Sequence, residues 1–251
     1  MKKIFILMIA VLTTLSGFAS DKAGNITSFN GRVQVFDGVS PRGVKVTKPD
    51  TEIFIKNRVA TKSKSNAVIN FANEDKIALG KNSTLLIEGF DNYKPESGKV
   101  VFSIQTRGGT RGVDIALKTA VIGVKGTEFL VDADWDANKY NIFLKEGLIE
   151  CRAKEGKFKK YQDVVMDEYE AYVRKMAGEY EDYIKELEEQ YVEYVESFIM
   201  EPGMAFNVDG NEVRSLKFTD EIDEAFKLLD VETEKPSEKK ETPEEISFMF
   251  W

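Results

Sequence analysis

The sequence predicts a mainly β chain: a single elongated β-roll or solenoid-like domain with an inserted long α-helix and a disordered C-terminal tail. Three observations lead there. Between Asn25 and Tyr161, apolar and polar residues alternate in short runs bounded by Gly, Asn, Asp, Lys or Ser, the period of half-buried strands joined by tight turns. From Asp163 to Ser197 the period changes to seven, the spacing of a helical seam. Beyond Asp230 the chain becomes charged and poor in apolar residues, a composition that cannot bury enough surface to order itself.

The elements follow in order. Lys2 and Lys3 precede an apolar run, Ile4 to Leu12, that is short for a membrane span, and Gly17 and Ala19 stand at cleavage spacing. Residues 1–19 therefore read as a signal peptide cut after Ala19, with an uncleaved anchor as the alternative. The expected location is periplasmic or secreted, without stable membrane insertion after cleavage. The β-domain spans 24–218. Its runs are RVQVF (Arg32 to Phe36), EIFI (Glu52 to Ile55), AVINF (Ala67 to Phe71), KIAL (Lys76 to Leu79), TLLIE (Thr84 to Glu88), KVVFSI (Lys99 to Ile104) and VDIALK (Val113 to Lys118). KTAVIGVKGTEFLV (Lys118 to Val131) follows, and then NIFLKEGLIEC, which reads as a hairpin folding about Glu146 and Gly147.

Within this domain 163–197 reads as a helical insertion. Val173, Tyr180, Leu187 and Tyr194 recur every seven residues, interleaved with Tyr169, Met176, Tyr183 and Gln190. A second stripe of Tyr172, Ile184, Tyr191 and Val195 widens the apolar side. At 1.5 Å per residue the helix would be about 50 Å long, with Gly178 as a weak point costing about 1 kcal/mol relative to Ala. Packing of the tyrosine stripe on the β-domain of the same chain ranks first, because a phenol can stay wet at a half-exposed site. Pairing with a second chain or a partner is the other reading. Strand chemistry returns at Phe198 to Met200 and Met204 to Val208 around Pro202-Gly203, and Asp209-Gly210 signals a hairpin into Val213 to Phe218. Thr219 is placed to cap a short helix at 219–230. Residues 231–251 form the acidic tail, ending in ISFMFW. Phe248, Phe250 and Trp251 could cover a sheet edge of their own domain or dock into a partner by strand addition.

Composition removes much chemistry. The net charge is −8 with no compensating basic patch, which disfavours nucleic acid as a partner. There is no histidine, so His-based catalysis and the usual zinc sites are excluded. Cys151 is the only cysteine, so no intramolecular disulfide can form, and its expected state is a small buried hydrophobe. Asp132, Asp134, Asp136 and Asn138 imitate the start of a calcium loop, but Ala137 and Phe143 occupy the positions that need Gly and Glu, and a solvated hairpin is preferred. GGTRG (Gly108 to Gly112) and GKNST (Gly80 to Thr84) hold phosphate-loop residue types without the spacing, and read as turns. No cofactor, metal or catalytic residue is expected.

TAVIGVKGTEFLV, Gly31-x-Val33, TKSKSNAVINFANEDKIAL (Thr61 to Leu79), Glu146-Gly147 and Pro202-Gly203, in this order, resemble the FecR-type periplasmic domain family. The resemblance covers about Asn25 to Tyr161 plus Phe198 to Phe218. The motif residues are Gly123, Lys125, Gly126, Thr127 and Phe129, which read as structural, with the glycines where neighbouring strands must approach closely. Lys125 stands where the family usually has Arg, and Asp75 where a turn Gly is common. Sigma-factor regulators of this family carry a cytoplasmic anti-sigma segment and a membrane helix ahead of the domain; here a signal peptide is expected instead. The resemblance implies a non-catalytic protein-binding, scaffold or sensory module in the envelope. Its expected partners are envelope proteins of unknown identity, with self-association through the helix as a further possibility. The candidate contact residues are Tyr169, Tyr172, Tyr180, Tyr183, Tyr191, Tyr194 and the aromatic end of the tail. A cell-wall carbohydrate or peptidoglycan binder is the alternative.

Overall fold

A computed structural model describes residues 21–106, 112–162, 168–179, 182, 185 and 191–230. The proposed signal peptide, most of GGTRG, Tyr180, Tyr183 and the tail lie outside the described residues. In chain order the strands are β1 Lys22–Asn30, β2 Val33–Phe36, β3 Val44–Lys45, β4 Thr51–Phe54, β5 Arg58–Thr61, β6 Asn66–Phe71, β7 Lys76–Leu79, β8 Thr84–Gly89, β9 Asn92–Ile104 and β10 Val113–Ala116. They continue with β11 Ala120–Val124, β12 Thr127–Asp134, β13 Lys139–Glu146, β14 Ile149–Ala153 and β15 Phe158–Tyr161. Helix α1, Glu168–Ala177, comes next, then β16 Val192–Val195, β17 Ser197–Met200, β18 Ala205–Asp209, β19 Glu212–Leu216, and helix α2, Asp220–Phe226, with a 3-10 turn at Lys227–Asp230. The chain is mainly β, as its alternation requires.

All strands join one hydrogen-bonded network, but β9 divides it into two ladders. The first ladder runs β4, β1, β6, β7, the C-terminal half of β9, β12, β13, β18, β19, β15 and β16. The second runs β3, β2, β5, β8, the N-terminal half of β9, β10, β11, β14 and β17. Period-two alternation gives each ladder one apolar face, and these faces share a single core. Ile69, Phe102, Phe129 and Ile142 of the first ladder belong to the same buried cluster as Val59, Ile87, Ile122 and Cys151 of the second. Phe198 of β17 packs edge-on against Phe158 of β15 at 5.3 Å and Phe206 of β18 at 5.2 Å, tying the ladders together. Each such fully buried aromatic contributes roughly 1.5–3 kcal/mol.

The far face of the first ladder carries a second, smaller core. Val68, Ala78, Val101, Leu130, Phe143 and Ala205 lie in one cross-strand row. The row is roofed by Ile222 and Phe226 of α2 and Leu229 of the following turn. Lys76 Nζ donates to the Leu229 carbonyl, and Lys99 Nζ lies 2.5 Å from Glu221 Oε1, fixing both ends of the roof. Thr219 stands at the start of α2, but its side chain makes no capping hydrogen bond; its carbonyl accepts the N–H groups of Ile222 and Asp223.

Two expectations need correction. The helix predicted over 163–197 is not continuous: α1 ends at Ala177, Gly178 has φ 72°, and Val192–Val195 is a strand paired with β15. The heptad spacing cannot distinguish these outcomes, because VEYV suits a strand as well as a helical seam. The hairpin expected at Glu146-Gly147 is also absent, since β13 pairs in the first ladder and β14 in the second. Gly147 is a corner between ladders.

Candidate protein-contact surface

The family motif occupies the corner at which β11 leaves the second ladder and β12 enters the first. Gly126 has φ 66°, and a Cβ there would lie 2.0 Å from Thr106 Oγ1. The return corner packs directly on it: Gly147 has φ 92°, and its Cβ would meet the Gly126 carbonyl at 2.4 Å and Thr127 Cγ2 at 2.6 Å. Both positions therefore demand glycine on two grounds, backbone conformation and space. Thr127 is buried at the start of β12, and Phe129, two residues on, stacks on Phe102 at 4.8 Å. Lys125 is exposed. Gly123 departs from expectation: in mid-β11 a Cβ would meet nothing nearer than Arg152 Nη2 at 3.5 Å, an ordinary contact. The motif is thus a two-corner crossing.

The tyrosine-rich segment is an excursion between β15 and β16. The chain leaves after Tyr161 and returns at Tyr191, where the Gln162 N–H donates to the Tyr191 carbonyl at 3.0 Å. Packing of the stripe on the chain's own domain is not what the described side chains of α1 do: Tyr172 is 62% exposed and Met176 72%, with Val173 also exposed. Tyr169 lies in α1. On the return, Tyr191 and Tyr194 are exposed, Tyr194 to 65%. Among the described residues β16 pairs only with β15, and the next strand, β17, only with β14. Two consecutive strands therefore form one edge of each ladder among the described residues, and β17 adds Ile199, 58% exposed. Free edges with outward apolar side chains suit strand addition. The structure thus places Tyr172, Tyr191 and Tyr194 on one excursion and its root.

The acidic group at the β12–β13 turn does not converge. Asp134 Oδ1 accepts the Ala137 N–H at 2.9 Å, a turn-forming role, and Asp132 lies on the far face of the first ladder. Burial raises the Asp132 pKa, against the pull of Lys99. Among the described residues no three His, Cys, Asp or Glu side chains come together. The GKNST segment forms the turn between β7 and β8, with Asn82 at φ 52°.

Sequence reading missed one polar cluster. Asp75 is only 1% exposed: Oδ2 accepts the hydroxyl of buried Tyr93 at 3.2 Å, and Oδ1 accepts the Gln105 N–H at 3.1 Å. Asn73 Nδ2 completes it by donating to the Phe90 carbonyl at 2.6 Å. This carboxylate pins the β6–β7 turn to both ends of β9. Asp75 next to Lys76 resembles any polar turn, so no local signal could have shown it.

Residues 57–158 match the protein family described as FecR protein, in agreement with the resemblance carried by the Gly-Thr motif. No curated protein matches the sequence. Among solved structures, two crystal structures of a candidate anti-sigma factor from Parabacteroides distasonis ATCC 8503 align over 64% of this chain and 59% of theirs. Both share 11% identity with it, at TM-scores of 0.43 and 0.42. The alignment thus spans less than two thirds of that protein. Among the described residues no helix is long and apolar enough to cross a membrane.

Proposed function

We propose that this chain is a FecR-type regulatory or sensory protein, exported to the periplasm or cell envelope, that acts without catalysis by binding another envelope protein. The observation that carries the reading is the excursion between β15 and β16. It begins after the family match ends at 158, and it bears Tyr172, Val173 and Met176 uncovered on α1. An apolar helical face held clear of its own core is costly to leave in water and gains by being covered. The root adds free edges at β16 and β17, so a partner could engage both a helix face and a strand.

The sequence from 163 to 197 is strongly acidic, which favours a partner with basic residues around an apolar centre. The test is photo-crosslinking from position 172 in cells, followed by identification of the captured protein and binding of that purified protein in vitro. Tyr172→Ala combined with Met176→Ala should weaken the purified complex at least tenfold while the melting temperature stays within about 2 °C, since these side chains contribute little to the fold. Unchanged affinity in the double variant would remove the excursion from the interface.

A further inference from the structure

The far face of the first ladder alternates in character from row to row. Beside the apolar row roofed by α2, the next row two residues along each strand is polar. Its register is Lys99 opposite Asp132, Asp132 opposite Asn141, Asn141 opposite Asn207, and Asn207 opposite Arg214. Arg214 then stacks over the ring of Tyr161 at 3.7 Å. Six side chains thus line up across six strands, roughly 24 Å at about 4.8 Å per strand. At one end, Lys99 and Asp132 open into a cavity of about 550 Å³ walled by Glu221 and Glu224 of α2.

We propose that this row binds an uncharged glycan strand laid across the β-strands, with one terminal sugar seated in the cavity beside α2. Three features select this ligand. Both cations of the row already have carboxylate partners, Lys99 with Glu221 at 2.5 Å and Arg214 with Glu212 at 3.8 Å, so nothing in it calls for an ionic polymer. At its centre Asn207 Nδ2 donates to Asn141 Oδ1 at 2.7 Å, which fixes both amide planes. The Asn141 amide donors and the Asn207 carbonyl are then left to face outward, a donor and an acceptor at fixed separation that suit neighbouring hydroxyls. Finally, the groups recur once per strand, and an extended 1→4-linked pyranose chain advances by about one strand spacing per ring. A peptide is the poorer fit, because the row lies on a sheet face and offers no free strand edge.

This site meets the root of the excursion only at Tyr161 and includes none of the exposed side chains of α1. The experiment is a ¹⁵N NMR titration of the mature chain with two neutral probes, a β-1,4-linked N-acetylglucosamine tetramer and a β-1,4-linked glucose tetramer, with an uncharged tetrapeptide alongside. The expected result is a saturable shift of the Asn141 and Asn207 side-chain amides with at least one glycan and none with the peptide. Asn141→Ala with Asn207→Ala should weaken binding at least tenfold, and Arg214→Gln, which leaves the amide pair intact, should weaken it severalfold. Tyr172→Ala with Met176→Ala should leave the glycan titration unchanged, so failure here is distinguishable from failure of the protein-contact reading. No saturable shift with either glycan overturns the proposal, as do shifts that map away from the row, an equal response to the peptide, or undiminished binding in the folded Asn variants.

Discussion

At the scale of single residues, the sharpest contrast is between the two glycines of the family motif. Gly126 combines a left-handed backbone with a Cβ position already occupied by Thr106, whereas Gly123 has ordinary space around it. Gly126→Ala should therefore cost about 2 kcal/mol or more, while Gly123→Ala should change stability by about 0.5 kcal/mol or less, as read from urea unfolding midpoints. Equal effects would contradict the assignment of the corner to Gly126 alone. Cys151 gives a second residue-level expectation. Burial pushes its thiol from the ordinary 9.0 up to about 12, so the native protein keeps a proton that the unfolded chain releases as pH rises between those values. Stability should fall across that window, and at pH 8 the native thiol should resist alkylation until denaturant exposes it. Both glycines look alike in the sequence; only the left-handed corner packed against Thr106 separates them.

At the scale of elements, α2 and its following turn stand out because they bury three apolar residues on a face that would otherwise be bare. Phe226→Ala should destabilise the protein by about 3 kcal/mol and increase binding of a hydrophobic dye, since it uncovers Phe143 and Leu130. Loss of stability without dye binding would mean that the roof stays in place. The helix itself was legible from DEIDEAFKLLD, yet its destination was not, because amphipathicity says that a face must be covered without saying by what. The tyrosine excursion shows the opposite problem. Its heptad spacing was legible, but it overran the element. Gly178 and pairing of VEYV with β15 end the helical reading, and strand pairing is a non-local event. The polar row on the first ladder was equally hidden, for Asp132, Asn141, Asn207 and Arg214 come from four separate stretches and are neighbours only through register.

At the scale of the whole molecule, β9 belongs to both ladders and the inner faces share one core, so neither ladder can open without the other. Unfolding of residues 21–230 should be a single cooperative transition, with the fluorescence of Trp135 and far-ultraviolet circular dichroism giving coincident curves; separated midpoints would show that the ladders are independent units. By itself the sequence determined that the chain is mainly β, that a motif around Gly126 and Thr127 marks a FecR-type domain, and that a tyrosine-rich segment departs from the strand pattern. These are properties of local period and composition, which any stretch of chain carries within itself. Only the tertiary structure decided that Glu146-Gly147 is a corner, that α1 stops at Ala177, that α2 roofs the first ladder, and that six scattered polar residues form one row. Each depends on which strands pair and in what register, and that is set by the burial of the two ladders against each other.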